Sequence, residues 1–171
     1  MLSLIRNRNP SPLIVASAAC AARRVKKEPK ARADAYELAK APYLKCIELD
    51  ENYADCYHQL GNVYLWTDDE QKAIQYYTDA IAHNPDELRF YAPLAELYLN
   101  LNYNDLAEKV LTEAKNHGKP EAKEMWGVHV LMGQILQEKG DFAGEVTELE
   151  AAKAINLGDD AVSTALSSRF D

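Results

Sequence analysis

One block of 34 residues, Ala54 to Glu87, spaces small and aromatic side chains so regularly that it constrains the whole chain. With Ala54 as position one, Tyr57, Leu60, Gly61 and Tyr64 stand at positions 4, 7, 8 and 11. Ala73, Tyr77, Ala80 and Pro85 follow at 20, 24, 27 and 32. The physical reading is a helix, a tight turn and an antiparallel helix. Gly61 and Ala73 are expected to face each other so that the two backbones approach closely.

The next 34 residues, Leu88 to Glu121, keep the register: Tyr91, Leu94, Ala95 and Tyr98 in one helix, Ala107, Leu111 and Ala114 in the other. After a four-residue insertion, a third copy starts at Trp126, with His129, Met132, Gly133 and Leu136, the turn Gly140-Asp141-Phe142, then Leu149 and Ala152. It departs from the pattern at position 20, where Glu145 replaces a small residue and puts the packing of that helix pair in question. A period of this length with these residues resembles the tetratricopeptide repeat family. The resemblance covers roughly residues 31 to 170 and implies an all-α fold: a right-handed superhelix, or α-solenoid, of antiparallel helix pairs.

The expected organisation is a basic leader or disordered tail at 1–30 and a repeat domain at 31–171. Within the domain lie a half repeat at 31–53, repeats at 54–87, 88–121 and 126–159, and a capping helix at 160–171 in which Leu166, Ser167 and Phe170 hold first-helix positions. Helices are expected near 54–67, 70–82, 88–100, 104–116, 126–139 and 142–156, with no strands. Asn84 before Pro85-Asp86-Glu87 has the form of a helix start. Pro42 and Pro93 fall inside helical stretches and predict kinks, because proline removes a backbone donor and clashes with the preceding turn.

The charge is unevenly placed. Residues 1 to 30 hold seven Lys/Arg and one acid, whereas residues 31 to 171 hold twelve Lys/Arg against twenty-six Asp/Glu, a net of −14 without histidines. An acidic array is a poor partner for nucleic acid. No run approaches the roughly 20 apolar residues of a transmembrane helix. The leader has no acid before Arg24, a short apolar stretch Leu13-Ile14-Val15-Ala16, and Ala18-Ala19-Cys20. It reads as an export signal with a lipid anchor at Cys20, as a mitochondrial transit peptide, or as a plain basic tail. The expected location is the envelope, with mitochondrion or cytoplasm as alternatives.

No catalytic or metal motif accompanies the repeats, and no cofactor is expected. His58, His83, His117 and His129 lack metal-ligand spacing, and His129 takes a core position. Cys20, Cys46 and Cys56 form no C-x-x-C pair, and their odd count implies no disulfide framework. Acid pairs such as Asp68-Asp69 sit at helix starts, where they serve as capping charge.

Function is therefore expected on the surface. The resemblance implies a concave peptide groove lined by first-helix positions 2, 5, 6, 9, 12 and 13. The residues singled out there for partner binding are His58, Gln59, Asn62, Trp66, Arg89, Glu96, Asn100 and Gln134. Asn62 matches the asparagine that some family members use to hold a peptide backbone, and Trp66 is either an exposed anchor or a cover for the turn. The family's clamp for a terminal carboxylate is incomplete, since Arg89 is the one basic residue on this face and Glu96 opposes an anion. The expectation is a non-catalytic scaffold binding a protein or peptide. The alternatives are an envelope assembly lipoprotein anchored through Cys20 and a subunit of a larger complex, mitochondrial if the leader is a transit peptide.

Overall fold

The computed structural model describes residues 29–119 and 122–155. Among these residues are seven α-helices and no strand: α1 (Pro29–Leu49), α2 (Ala54–Trp66), α3 (Glu70–His83), α4 (Tyr91–Asn100), α5 (Asn104–His117), α6 (Met125–Glu138) and α7 (Phe142–Ile155). A short 3-10 turn, Leu88–Phe90, precedes α4. Cys20 and the cap expected at 160–171 lie outside the described residues. The chain divides into two compact units, one ending at Asn84 and the other beginning at Pro85.

In the first unit, α2 packs on α3 and α1 packs on α2. Leu60, Ala73, Tyr77 and Ala80 are wholly buried, so the pattern residues are the core residues. The closest neighbour at Gly61 is Tyr77: a methyl added to Gly61 would lie 2.5 Å from Cδ1 of its ring. It is the ring of the position-24 aromatic that the missing side chain admits. Cys46 on α1 and Cys56 on α2 are fully buried and joined in a disulfide with Cα atoms 6.3 Å apart. This corrects the reading of the odd cysteine count. The two positions are ten residues apart in sequence, and only the packing of α1 on α2 makes them neighbours.

In the second unit, α4 pairs with α5 and α6 with α7. Phe90, Tyr91, Ala95, Ala107, Leu111 and Ala114 bury the first pair. Glu145 does not disrupt the second. It is only 4% exposed, and the pair closes one turn further on, where Leu149 lies 3.4 Å from the place a Gly133 Cβ would take. Trp126, Val130 and Val146 pack around Leu149 and Ala152.

The three turns between paired helices are copies of one another. Position 15 of each repeat, Asp68, Asn102 and Gly140, has a left-handed backbone with φ of 58°, 61° and 77°. The following amide donates back to position 11 in each: Asp69 N to Tyr64 O at 3.0 Å, Tyr103 N to Tyr98 O at 2.8 Å, Asp141 N to Leu136 O at 2.9 Å. These are Schellman closures, which satisfy carbonyls orphaned at a helix end. Asp69 and Asp141 then accept from the backbone N–H three residues on, at 3.2 and 3.0 Å, and so start the next helix. The capping reading of the Asp68-Asp69 pair thus applies to Asp69, whereas Asp68 makes the turn.

Pro42 and Pro93 sit in different settings. α1 runs through Pro42 as a single helix. Pro93 is in the first turn of α4, which starts at Tyr91 after the 3-10 turn rather than at 88. There its missing N–H is one of the donors that have no helical partner anyway, so the cost of an interior proline does not arise. Pro85 starts no helix either: Asn84 ends α3, and the Tyr91 hydroxyl donates to Pro85 O at 2.8 Å across the turn.

Candidate functional site

Four of the eight expected site residues lie on α2. Gln59 and Asn62, three residues apart and therefore on one face of the helix, are both half-buried. Asn62 Nδ2 faces Gln59 Oε1 at 3.4 Å, and the Tyr77 hydroxyl, reaching across from α3, donates to Asn62 Oδ1 at 2.8 Å. His58 stands beside the same tyrosine, ring centroids 5.7 Å apart. Trp66, at the helix end, is 46% exposed and leans on Tyr36 of α1 at 5.3 Å between centroids. One part of the indole thus covers the α1–α2 junction and the rest meets solvent.

The other four are in the second unit. Arg89 falls in the 3-10 turn, its Nε 3.3 Å from Glu87 Oε1 and its guanidinium 5.2 Å from the Phe90 ring centre. An arginine already facing a carboxylate is a weak anion receptor. Glu96 and Asn100 on α4 and Gln134 on α6 are exposed, and no hydrogen bond joins them among the described residues. What the structure assembles is the set on α2, with Tyr77 as a member that spacing alone treated as core. A signal was present: the repeat pattern has phenylalanine at position 24, and a buried tyrosine there carries a hydroxyl that needs a partner.

A second polar cluster also escaped the sequence reading. His129 is buried as expected at a core position, but its Nδ1 lies 2.6 Å from Glu148 Oε2, and Glu148 Oε1 takes Lys115 Nζ at 2.6 Å. Burial by itself would push the Glu148 carboxyl up; hydrogen bonds from His129 and Lys115, with their charge, outweigh it and hold the group below the usual glutamate range. The cluster ties α5, α6 and α7 together, a structural role. Among the described residues no group of His, Cys, Asp and Glu is arranged to hold a metal ion, and no helix is long and apolar enough to cross a membrane.

Antiparallel helix pairs, matched turns and small residues at the same place in each first helix, Gly61, Ala95 and Gly133, define a helical-repeat protein. Residues 57–158 match the sequence model of a family described as the tetratricopeptide repeat protein 21 fourth ARM domain, and the chain belongs to this tetratricopeptide-related family. Solved structures share the fold. PilF of Pseudomonas aeruginosa is 18% identical with a TM-score of 0.72 over 91% of this chain, which spans 66% of that one. YrrB, described as a tetratricopeptide protein with an unusual peptide-binding site, is 14% identical with a TM-score of 0.62 over 91% of this chain and 84% of its own. The N-terminal domain of stress-induced protein-1 from C. elegans is 18% identical with a TM-score of 0.59, over 69% of this chain and 94% of that domain. No curated protein matches the chain significantly.

Proposed function

We propose that this chain is a non-catalytic scaffold that binds an extended segment of a partner protein on the groove face of its first helices. The carrying observation is the half-buried pair Gln59 and Asn62, whose amides stand next to each other on α2 with Trp66 one turn beyond. Repeat arrays of this class use such faces as binding surfaces. The peptide-binding site in the description of YrrB favours the same use of the fold. Arg89, Glu96, Asn100 and Gln134 hold first-helix positions of the second unit, whose groove face is a separate candidate surface. The test is to pan a random peptide library against the full chain and titrate the enriched peptides. Asn62→Ala should weaken them about three- to tenfold, the scale of one hydrogen bond. Peptides that bind the variant as well as the wild type would refute this face.

A second reading concerns location, and the Cys46–Cys56 disulfide favours it. Disulfides persist in oxidising compartments, which fits the export reading, and Cys20, the residue of the expected lipid anchor, is not one of this pair. Alkylation of the protein taken from its host without reductant, followed by intact mass, checks it. Free thiols at both Cys46 and Cys56 would remove the support.

A further inference from the structure

The two disulfide cysteines mark a junction between repeats. Cys46 stands at position 27 of the half repeat and Cys56 at position 3 of the repeat that follows, so the bond joins a second helix to the next first helix. In the second unit the same two positions are Ala114 and Val128, fully buried on α5 and α6, which pack together without a covalent bond. The inner side of α1 buries Tyr36, Ala39 and Tyr43 with Leu60 and Val63 of α2, whereas Leu38 and Leu49, which share another face of α1, are 73% and 56% exposed. A helix packed on one side opens more easily than one packed on both. The bond lies beside the turn that links α1 to α2, and at the far end of the pair Tyr36 leans on Trp66. With the sulfurs joined, the Cα atoms of Cys46 and Cys56 stay 6.3 Å apart and α1 cannot swing out on that turn.

We infer that the Cys46–Cys56 bond is a redox latch: oxidised, it keeps α1 seated on α2 and Tyr36 against Trp66; reduced, it lets α1 open and uncovers Trp66. Reduction by a dithiol balances within the pair. One thiolate of the reductant attacks a cysteine sulfur and expels the other cysteine as thiolate; its second thiolate then closes a ring disulfide and expels the first. Two electrons pass from the reductant to the pair, and each cysteine sulfur takes up a proton. That a partner would then meet more of Trp66 rests on the peptide-binding reading above; the latch itself does not.

Hydrogen exchange read by mass spectrometry compares the full chain oxidised and after dithiothreitol, with the two new thiols confirmed by alkylation. Reduction should speed exchange in α1 about 30- to 100-fold, the loop-closure effect of a bond between residues 10 apart, and leave α3 unchanged. In a Trp126→Phe background Trp66 is the one tryptophan. Its emission should move to longer wavelength on reduction, and Tyr36→Ala should give the same shift in the oxidised chain. Both sulfurs are buried, so a variant that needs no reductant is the second arm. Cys46→Ala with Cys56→Val installs the residue types of the second unit's own junction and should behave as the reduced form with or without dithiothreitol. Exchange in α1 that is the same in the oxidised chain and in this variant would make the bond a static staple and overturn the latch. A rise of equal size in α3 would mean loss of the whole unit rather than release of α1, and would overturn it too. Faster exchange in α1 with no shift of Trp66 would overturn the coupling between them. No peptide enters these measurements, so their failure leaves the peptide-binding reading as it stands.

Discussion

At the scale of single residues, the described glycines separate into positions that admit a neighbour and positions with open space around them. Gly61 has the Tyr77 ring where its side chain would be, and that ring is fully buried and cannot swing away. Gly61→Ala gains about 1 kcal/mol of helix propensity but overpacks the pair, and a net loss of about 1 to 2 kcal/mol is expected in chemical denaturation. Gly127, in the first turn of α6, has nothing within 4 Å of its missing Cβ. Gly127→Ala should therefore stabilise by about 0.5 to 1 kcal/mol, since only the propensity term acts there. Equal effects of the two substitutions would contradict this account of the packing.

At the scale of helices and turns, each repeat ends its first helix on a left-handed residue, yet only the third copy uses glycine. Asp68 and Asn102 are among the few other residues that tolerate this backbone. Gly140→Ala should cost about 1 kcal/mol or more even though its surroundings are open, because the penalty lies in the backbone. Asn102→Gly should be close to neutral, as the Asn tolerance and the entropy of glycine offset one another. The α1–α2 pair is bound covalently as well as by packing. Replacing Cys46 and Cys56 by serine releases a loop of about ten residues, which in the chain-entropy account removes roughly 2 to 3 kcal/mol. Thermal melts with and without reductant measure it, and identical curves would show that the bond contributes nothing.

For the whole molecule, the expected signature is a stability profile with two limbs set by buried groups. Glu148 has a folded pKa below its unfolded value. Its contribution is present above the ordinary glutamate range, near 4.3, and is lost as pH falls through and below it. Glu148→Gln should cost about 1 to 3 kcal/mol at neutral pH and flatten the acid limb. Tyr91, wholly buried, has its hydroxyl pushed up to about 12, chiefly by burial and then by Glu113 and Asp86. Stability linked to it is complete below the ordinary tyrosine value, near 10, and declines as pH rises from there towards 12. Tyr91→Phe should remove that alkaline decline. Urea denaturation at stepped pH reads both limbs.

The sequence by itself determined the period, the helix pairs and the core. Leu60, Ala73, Tyr77 and Ala80 announce themselves because a repeat must bury the same stripe against its neighbour each time. Helix ends were legible wherever a local device sets them, as with Asp69 and Asp141. They were misread at Pro85 and Pro93, where Tyr91 reaching to Pro85 O and the preceding 3-10 turn set the start of α4. Contacts between residues distant in sequence were invisible for the same reason. The Cys46–Cys56 bond, the Lys115–Glu148–His129 cluster and the hydroxyl of Tyr77 on Asn62 join side chains on different helices. Spacing along one helix records which face a residue occupies, and only packing decides which atom on another helix it meets.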